Sequence, residues 1–288
     1  MKILKLGPAA WAASGSVALL AALTVAPAAS SASNGAGPHP LRQHDTHSAR
    51  FRGGSSNLID HGGPVLPTSN VYTIWWGSSS SWNSNTKPGI AQLFGGLNGS
   101  GYAATGTQYM RGSPTVVNYI RSVNDISTPP SQPSTSNIGA EVQKEVNNGS
   151  LPADPSGVYF VFTSNFPSRA NYCAWHSYTS ISAGQVAIAY MPNVAGISGC
   201  DAVQASGISG GTSYSDEGTL SLANVTAHEF MESITDQVLN AWYDSSGSEI
   251  GDKCAWQFNG PVQLANGSSW ILQKEWSNAI SGCTETTP

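Results

Sequence analysis

The sequence predicts an α/β or α+β fold in which a mixed sheet packs against one central helix. Three observations lead there. Apolar runs rich in β-branched and aromatic residues, at 71–77, 158–163 and 185–191, read as strands. Segments with helical spacing, at 90–97 and 138–146, alternate with them, the order that builds a sheet covered by helices. Downstream of a Gly/Ser/Asp-rich stretch at 207–218, Leu220, Leu222, Ala223, Ala227, Phe230, Met231 and Ile234 supply the apolar surface of a helix that Asp216 or Thr219 can cap.

Taken in order, residues 1–32 read as a secretory signal peptide. Met1-Lys2-Ile3-Leu4-Lys5 is the basic start, 16–26 an apolar run, and Ala26-Pro27-Ala28 or Ser30-Ser31-Ala32 supplies small residues for cleavage. The run is too short to span a bilayer, so a released protein without membrane insertion is expected. Residues 33–56 are polar and read as a disordered lead-in or pro-segment, whose His39, His44 and His47 lack fixed spacing. The remainder, 57–288, is expected to be a single globular domain.

Within it, Ile74-Trp75-Trp76 lacks polar alternation, which predicts burial on both faces of the first strand. Residues 90–97 read as a short helix, and 115–123 do not declare a type. Pro129, Pro130 and Pro133 mark a surface loop. The 138–146 helix is amphipathic, with Ile138, Val142 and Val146 on one face and Glu141, Lys144 and Glu145 on the other. Residues 269–277 alternate bulky and polar side chains, as in a strand with one wet face, an edge on which an extended substrate chain can lie.

Composition limits the partners. The 288 residues are 40% hydrophobic but only 10% charged, against roughly 25% in an average soluble domain. The formal net charge is -5 and no Lys/Arg cluster is present. Nucleic acid and anionic membranes are therefore poor partners, and a monomer is expected.

The chemistry concentrates in His228-Glu229-Phe230-Met231-Glu232. Four residues apart on a helix, His228 and Glu232 share one face and can grip one ion. In H-E-x-x-H zinc hydrolases the Glu is the general base for a metal-bound water, the role that falls here to Glu229. The second His is replaced by Glu232, an acceptable ligand that makes the metal a weaker Lewis acid. A buried His held by acidic neighbours without metal is the plainer alternative. The third ligand must come from a later element. Asp252 is ranked just ahead of Glu249, with the other one left to orient His228. The expected cofactor is Zn2+ and the expected layout is zincin-like. His176 and His61 are possible accessory groups, and Trp242 and Tyr243 either line a cleft or belong to the core.

His228 to Glu232, Leu239-Asn240-Ala241-Trp242-Tyr243 and Glu249-Ile250-Gly251-Asp252-Lys253-Cys254 together resemble the phosphate-induced (EXORDIUM-like) family of secreted proteins. So do His61-Gly62-Gly63-Pro64-Val65-Leu66 before the first strand, Val158 to Ser164, and Cys173-Ala174-Trp175-His176. The resemblance spans about residues 57–283 and implies an extracellular role linked to cell wall and growth. The four cysteines suit an oxidising compartment, and the pairs Cys173–Cys200 and Cys254–Cys283 close loops of moderate length. The expected function is a secreted zinc-dependent hydrolase, most simply a metallopeptidase, acting on a polypeptide or cell-wall-associated substrate. The alternative is a non-catalytic extracellular binding or signalling protein. A carbohydrate-active enzyme pairing Glu229 with Glu232 or Asp252 ranks lower, because carboxylates on adjacent helical turns do not face each other across a sugar.

Overall fold

Strands without polar alternation need apolar cover on both faces, and the chain supplies it with helices above and below one sheet. The computed structural model describes residues 38–44 and 56–286, which belong to one compact unit. The signal peptide and His47 lie outside the described residues. In chain order the elements are β1 (His39–Arg42), β2 (Ile59–Asp60), β3 (Thr68–Trp76), α1 (Thr86–Leu97), α2 (Gly101–Ala104), β4 (Val116–Asp125), α3 (Thr135–Asn147), β5 (Gly157–Thr163), β6 (Tyr172–Ile181) and β7 (Gly184–Pro192). There follow α4 (Ala202–Ser206), α5 (Glu217–Thr235), β8 (Trp242–Tyr243), β9 (Val262–Gln263), β10 (Ser269–Trp270), β11 (Glu275–Ser277) and β12 (Gly282–Thr284). None of the described helices is long and apolar enough to cross a membrane.

The six-stranded sheet runs β1-β6-β7-β5-β3-β4. Its β7-β5-β3-β4 part is parallel, and β6 and β1 add antiparallel at one end. The fold is mixed α/β with a mostly parallel central sheet. Successive side chains divide between two cores, as the period of two requires. Tyr72, Ile74, Trp76, Tyr159, Val161, Ile188 and Tyr190 pack with Ile138 and Val142 of α3. Val71, Trp75, Phe160 and Phe162 face the other way, into the core that holds α1 and α5. There Phe94 of α1 meets Phe230 of α5 edge to face at 6.0 Å.

Several expectations need correction. Segment 115–123 is mostly strand β4, whose type is hidden because it is the sheet's outer strand and exposes Ile120, Arg121, Ser122 and Asn124. Glu141 and Glu145 are not on a wet face but buried. Lys144 lies over them, its Nζ 2.7 Å from Glu141 Oε2 and 3.4 Å from Glu145 Oε1, and also pairs with Asp125. Residues 269–277 form no single strand and have no wet face. They break into β10 and β11, with Ile271, Leu272, Gln273 and Glu275 all buried. The lead-in is partly structured, since β1 lies within it.

Both disulfides form as the spacing indicated, Cys173–Cys200 and Cys254–Cys283. The second anchors the segment that follows α5 to β12. That segment is also organised from within by Asp244. Its Oδ1 accepts from the Ser246 and Ser248 amides, and its Oδ2 accepts from Lys253 Nζ at 2.7 Å. Both partners of this ion pair are buried, so removing Lys253 leaves the Asp244 charge without its cation, which costs about 3–5 kcal/mol. Burial works against the Asp244 charge, but the Lys253 hydrogen bond and those from Ser246 and Ser248 outweigh it and lower its pKa to about 2. A depressed carboxylate stabilises the fold above its unfolded value of 3.8, and that contribution is lost as pH falls through about 2. Lys253→Met should therefore lower the melting temperature clearly at pH 7, with the penalty shrinking between about pH 4 and pH 2. A penalty that does not change with pH in thermal unfolding would show that the pair is not its cause.

Candidate metal and acid-base centre

Asp216 starts α5, its Oδ1 accepting from the Thr219 amide at 2.9 Å. From Thr219 to Thr235 every residue of the helix is buried, the polar ones included. The sheet beneath it is lined by Ala174, Ala187 and Ala189, all wholly buried in the same core. Small residues let backbones approach closely, so side chains on the helix and the sheet meet directly. His176 lies two residues beyond Ala174 on β6 and so projects from the same face, toward α5.

The resulting cluster has His176 at its middle. His176 Nδ1 is 3.2 Å from Glu232 Oε2 and 3.3 Å from Glu229 Oε2, and its Nε2 is 3.5 Å from Glu249 Oε1. His228 Nε2 is 3.2 Å from the same Glu232 Oε2. His39 of β1 closes the far side, its Nδ1 2.5 Å from Glu249 Oε2. Three triads have ligand atoms close enough to share an ion: His228/Glu229/Glu232, His176/Glu232/Glu249 and His39/Glu249/Asp252. Glu232 and Glu249 each belong to two of them.

Of the residues singled out from sequence, His228, Glu229, Glu232 and Glu249 come together, and His176 moves from accessory to central. Asp252 shares a triad with His39 and Glu249 but not with His228. Its contact with Glu232 is through the backbone, the Asp252 amide donating to Glu232 Oε1 at 3.0 Å. His61 stands apart, exposed and stacked on Tyr243 at 3.7 Å. Trp242 is half-buried and packs edge to face on Tyr109 at the margin of the core. Sequence reasoning missed His39, Gln273 and Glu275. Gln273 Nε2 lies 2.8 Å from His228 Nδ1 and donates to the Gly251 carbonyl at 3.1 Å. Glu275 Oε1 accepts from Tyr102 Oη at 2.6 Å. The two alternate positions 273 and 275 carried the signal, but polar side chains there read as solvent-facing. Gly251 is required, because a Cβ there would come within 2.4 Å of His228 Nδ1.

Electrostatically the centre is a pool of carboxylates neutralised by imidazoles. Burial disfavours charge on His228, yet Glu232 and its neighbours raise it to about 10. His39 rises to about 9 against its own burial, through the hydrogen bond and charge of Glu249. His176 is also raised, burial again being outweighed, with the Glu249 charge the largest raising cause. Burial pushes Glu229 upward, and Asp252 to about 8. Glu232 and Glu249 stay low despite burial, held by the charges of His228 and His176 respectively. Apart from the ion pairs just described, the fully buried His176 Nε2, His228 Nε2, Glu229 Oε1, Glu232 Oε2 and Glu249 Oε1 make no hydrogen bond. A nitrogen and oxygen set of this kind, held by ion pairs rather than by hydrogen bonds, fits Zn2+.

No family model matches the chain, and no curated protein or solved structure matches it significantly.

Gln273 decides the His228 tautomer. With its amide nitrogen toward Nδ1, neutral His228 carries its proton on Nε2, the atom that faces Glu232. Ligation through Nε2 needs the proton on Nδ1, and turning the Gln273 amide by half a rotation brings Oε1 round to accept it. Gln273→Leu keeps the bulk and removes that acceptor, so zinc affinity should fall about 10–100-fold in a chelator competition. Unchanged affinity would show that His228 does not bind metal through Nε2.

Proposed function

We propose that the protein is a secreted zinc-dependent hydrolase, most simply a metallopeptidase. The observation that supports it is the set of buried ligand atoms on His228, Glu232, His176 and Glu249 that make no hydrogen bond and face only one another and His39 as ion pairs. Ionised carboxylates sealed in an interior cost several kcal/mol each unless matched by positive charge, and a divalent cation is the densest match available. His228 and Glu232 would hold the ion, with the third position supplied by His176 or Glu249 and Asp252 at the outer edge. Bound by these residues, zinc would supply Lewis-acid polarisation of a substrate carbonyl and a more acidic water. Glu229, raised by burial and with Oε1 free of protein partners, is placed to take the proton at that oxygen. His176, bridging Glu229 and Glu232, fixes the orientation of both carboxylates. Export fits the two disulfides, and the resemblance to the EXORDIUM-like family fits an extracellular, cell-wall-associated role.

One observation favours the non-catalytic reading: His176, His228, Glu229, Glu232 and Glu249 all have 0% accessible surface. A structural ion in an extracellular binding protein would need no access. Three measurements separate the two. Elemental analysis should find about one zinc per chain. Glu232→Ala should lose it, and Glu229→Gln should keep it while lowering peptide hydrolysis by about 10²–10⁴. Zinc retained in Glu229→Gln with hydrolysis untouched would rule out Glu229 as the base. Stoichiometric zinc with no hydrolysis of any polypeptide would select the non-catalytic reading.

A further inference from the structure

We propose that the edge of β6 is a binding strand for an extended polypeptide, and that β1 is its internal occupant, holding the site closed. The sheet is complete without β1, which pairs with β6 alone and adds nothing to β7, β5, β3 or β4. Its register places His39 opposite His176, Pro40 opposite Trp175 and Leu41 opposite Ala174. This is strand addition, in which backbone bonds give affinity and alternate side chains enter pockets. His39 and Leu41 are the two alternate side chains that point inward. His39 reaches Glu249 Oε2, over the buried cluster. Leu41 is wholly buried in the core that surrounds α5.

The other holds on this segment are mostly to backbone atoms, as an unspecialised peptide would make. The Gln43 amide donates to Asn171 O, the His44 amide to Gly199 O, and Trp256 Nε1 to Arg42 O. Pro38 and Pro40 carry no N–H, at the alternate positions whose amides would point away from β6, so no further strand can pair outside β1. His39 is also the only one of the centre's imidazoles with accessible surface, its side chain 25% exposed. Withdrawal of β1 would uncover His176 and Glu249 from the sheet's edge. The polypeptides that fit in its place are extended and carry a Leu-like residue two positions after the one over Glu249. The proposal rests on the hydrolase reading only for what happens to the bound peptide.

The test uses the full chain and a fluorescent peptide of sequence Gly-Pro-His-Pro-Leu-Arg-Gln-His. A tethered strand competes at an effective concentration in the roughly millimolar range, so the wild-type chain should not bind the free copy at micromolar concentration. Leu41→Asp places a charge in the core and should release β1, raising peptide affinity about a hundredfold or more. The same peptide carrying Asp in place of Leu should not bind. His39→Ala, which leaves Leu41 seated and loses only the contact over Glu249, should raise peptide affinity about tenfold. If Leu41→Asp melts cooperatively but binds no peptide, or if it does not fold and His39→Ala binds the peptide no better than wild type, the proposal is overturned. Peptide binding by a protein that holds no zinc would instead overturn the hydrolase reading and leave this one standing.

Discussion

The structure depends on neutralising carboxylates that it has taken out of water. Glu229, Glu232 and Glu249 are wholly buried, and an isolated charge there would be intolerable. Everything near them serves that need. The alanines of β6 and β7 bring α5 close enough for His176 to reach two of its glutamates. Gly251 lets the following loop lie against His228, and the Cys254–Cys283 disulfide and the Asp244–Lys253 pair hold that loop in place. The alanines and Cys254 belong to the apolar core, but these features share a second task. They position charge.

The neutralising charge can arrive as protons or as metal. In the chain alone the imidazoles hold protons, since carboxylates raise His39, His176 and His228 despite burial. Metal ligands must be deprotonated, so an ion entering this cluster displaces protons that are themselves stabilising. The metal's net affinity is thus set by the difference between two ways of balancing one set of carboxylates. It also follows that exchanging Glu232 for an apolar residue would take from His228 its paired carboxylate and leave His176 to Glu229 and Glu249. A motif with Glu in place of the second His is accommodated because β6 restores the missing imidazole from the sheet.

The sequence disclosed elements wherever one physical signal dominated. Buried runs pointed to β3, β5 and β7, one of two candidate caps, Asp216, starts α5, and the preferred one of three cysteine pairings forms. It was silent where signals conflicted. β6 carries Ser177, Thr179 and Ser180 beside Trp175 and has the polarity of a loop. Gln273, Glu275, Glu141 and Glu145 are buried polar groups, and a polar letter carries no mark of the partner that will bury it. Only long-range placement shows that Gln273 meets His228 or that Lys144 covers Glu141. His39 had the weakest signal of all, a histidine in a short polar stretch whose pairing strand lies more than a hundred residues away.

On the proposed hydrolase reading, burial and chemistry would be reconciled at the sheet edge. A dry cluster strengthens every charge interaction within it, which is an advantage for holding an ion and for transferring a proton. The same dryness excludes the substrate. A chain that needs both must separate them in time, and a removable outer strand does this at small structural cost, because an edge strand has bonds on one side only. The interior strands and α5 cannot play that part, since both of their faces are packed. β1 is bonded on one side and contributes a single imidazole to the centre, so its loss would leave the remaining donors in place. The cover is the one piece of the site attached through a single strand pairing, with Leu41 as its anchor in the core.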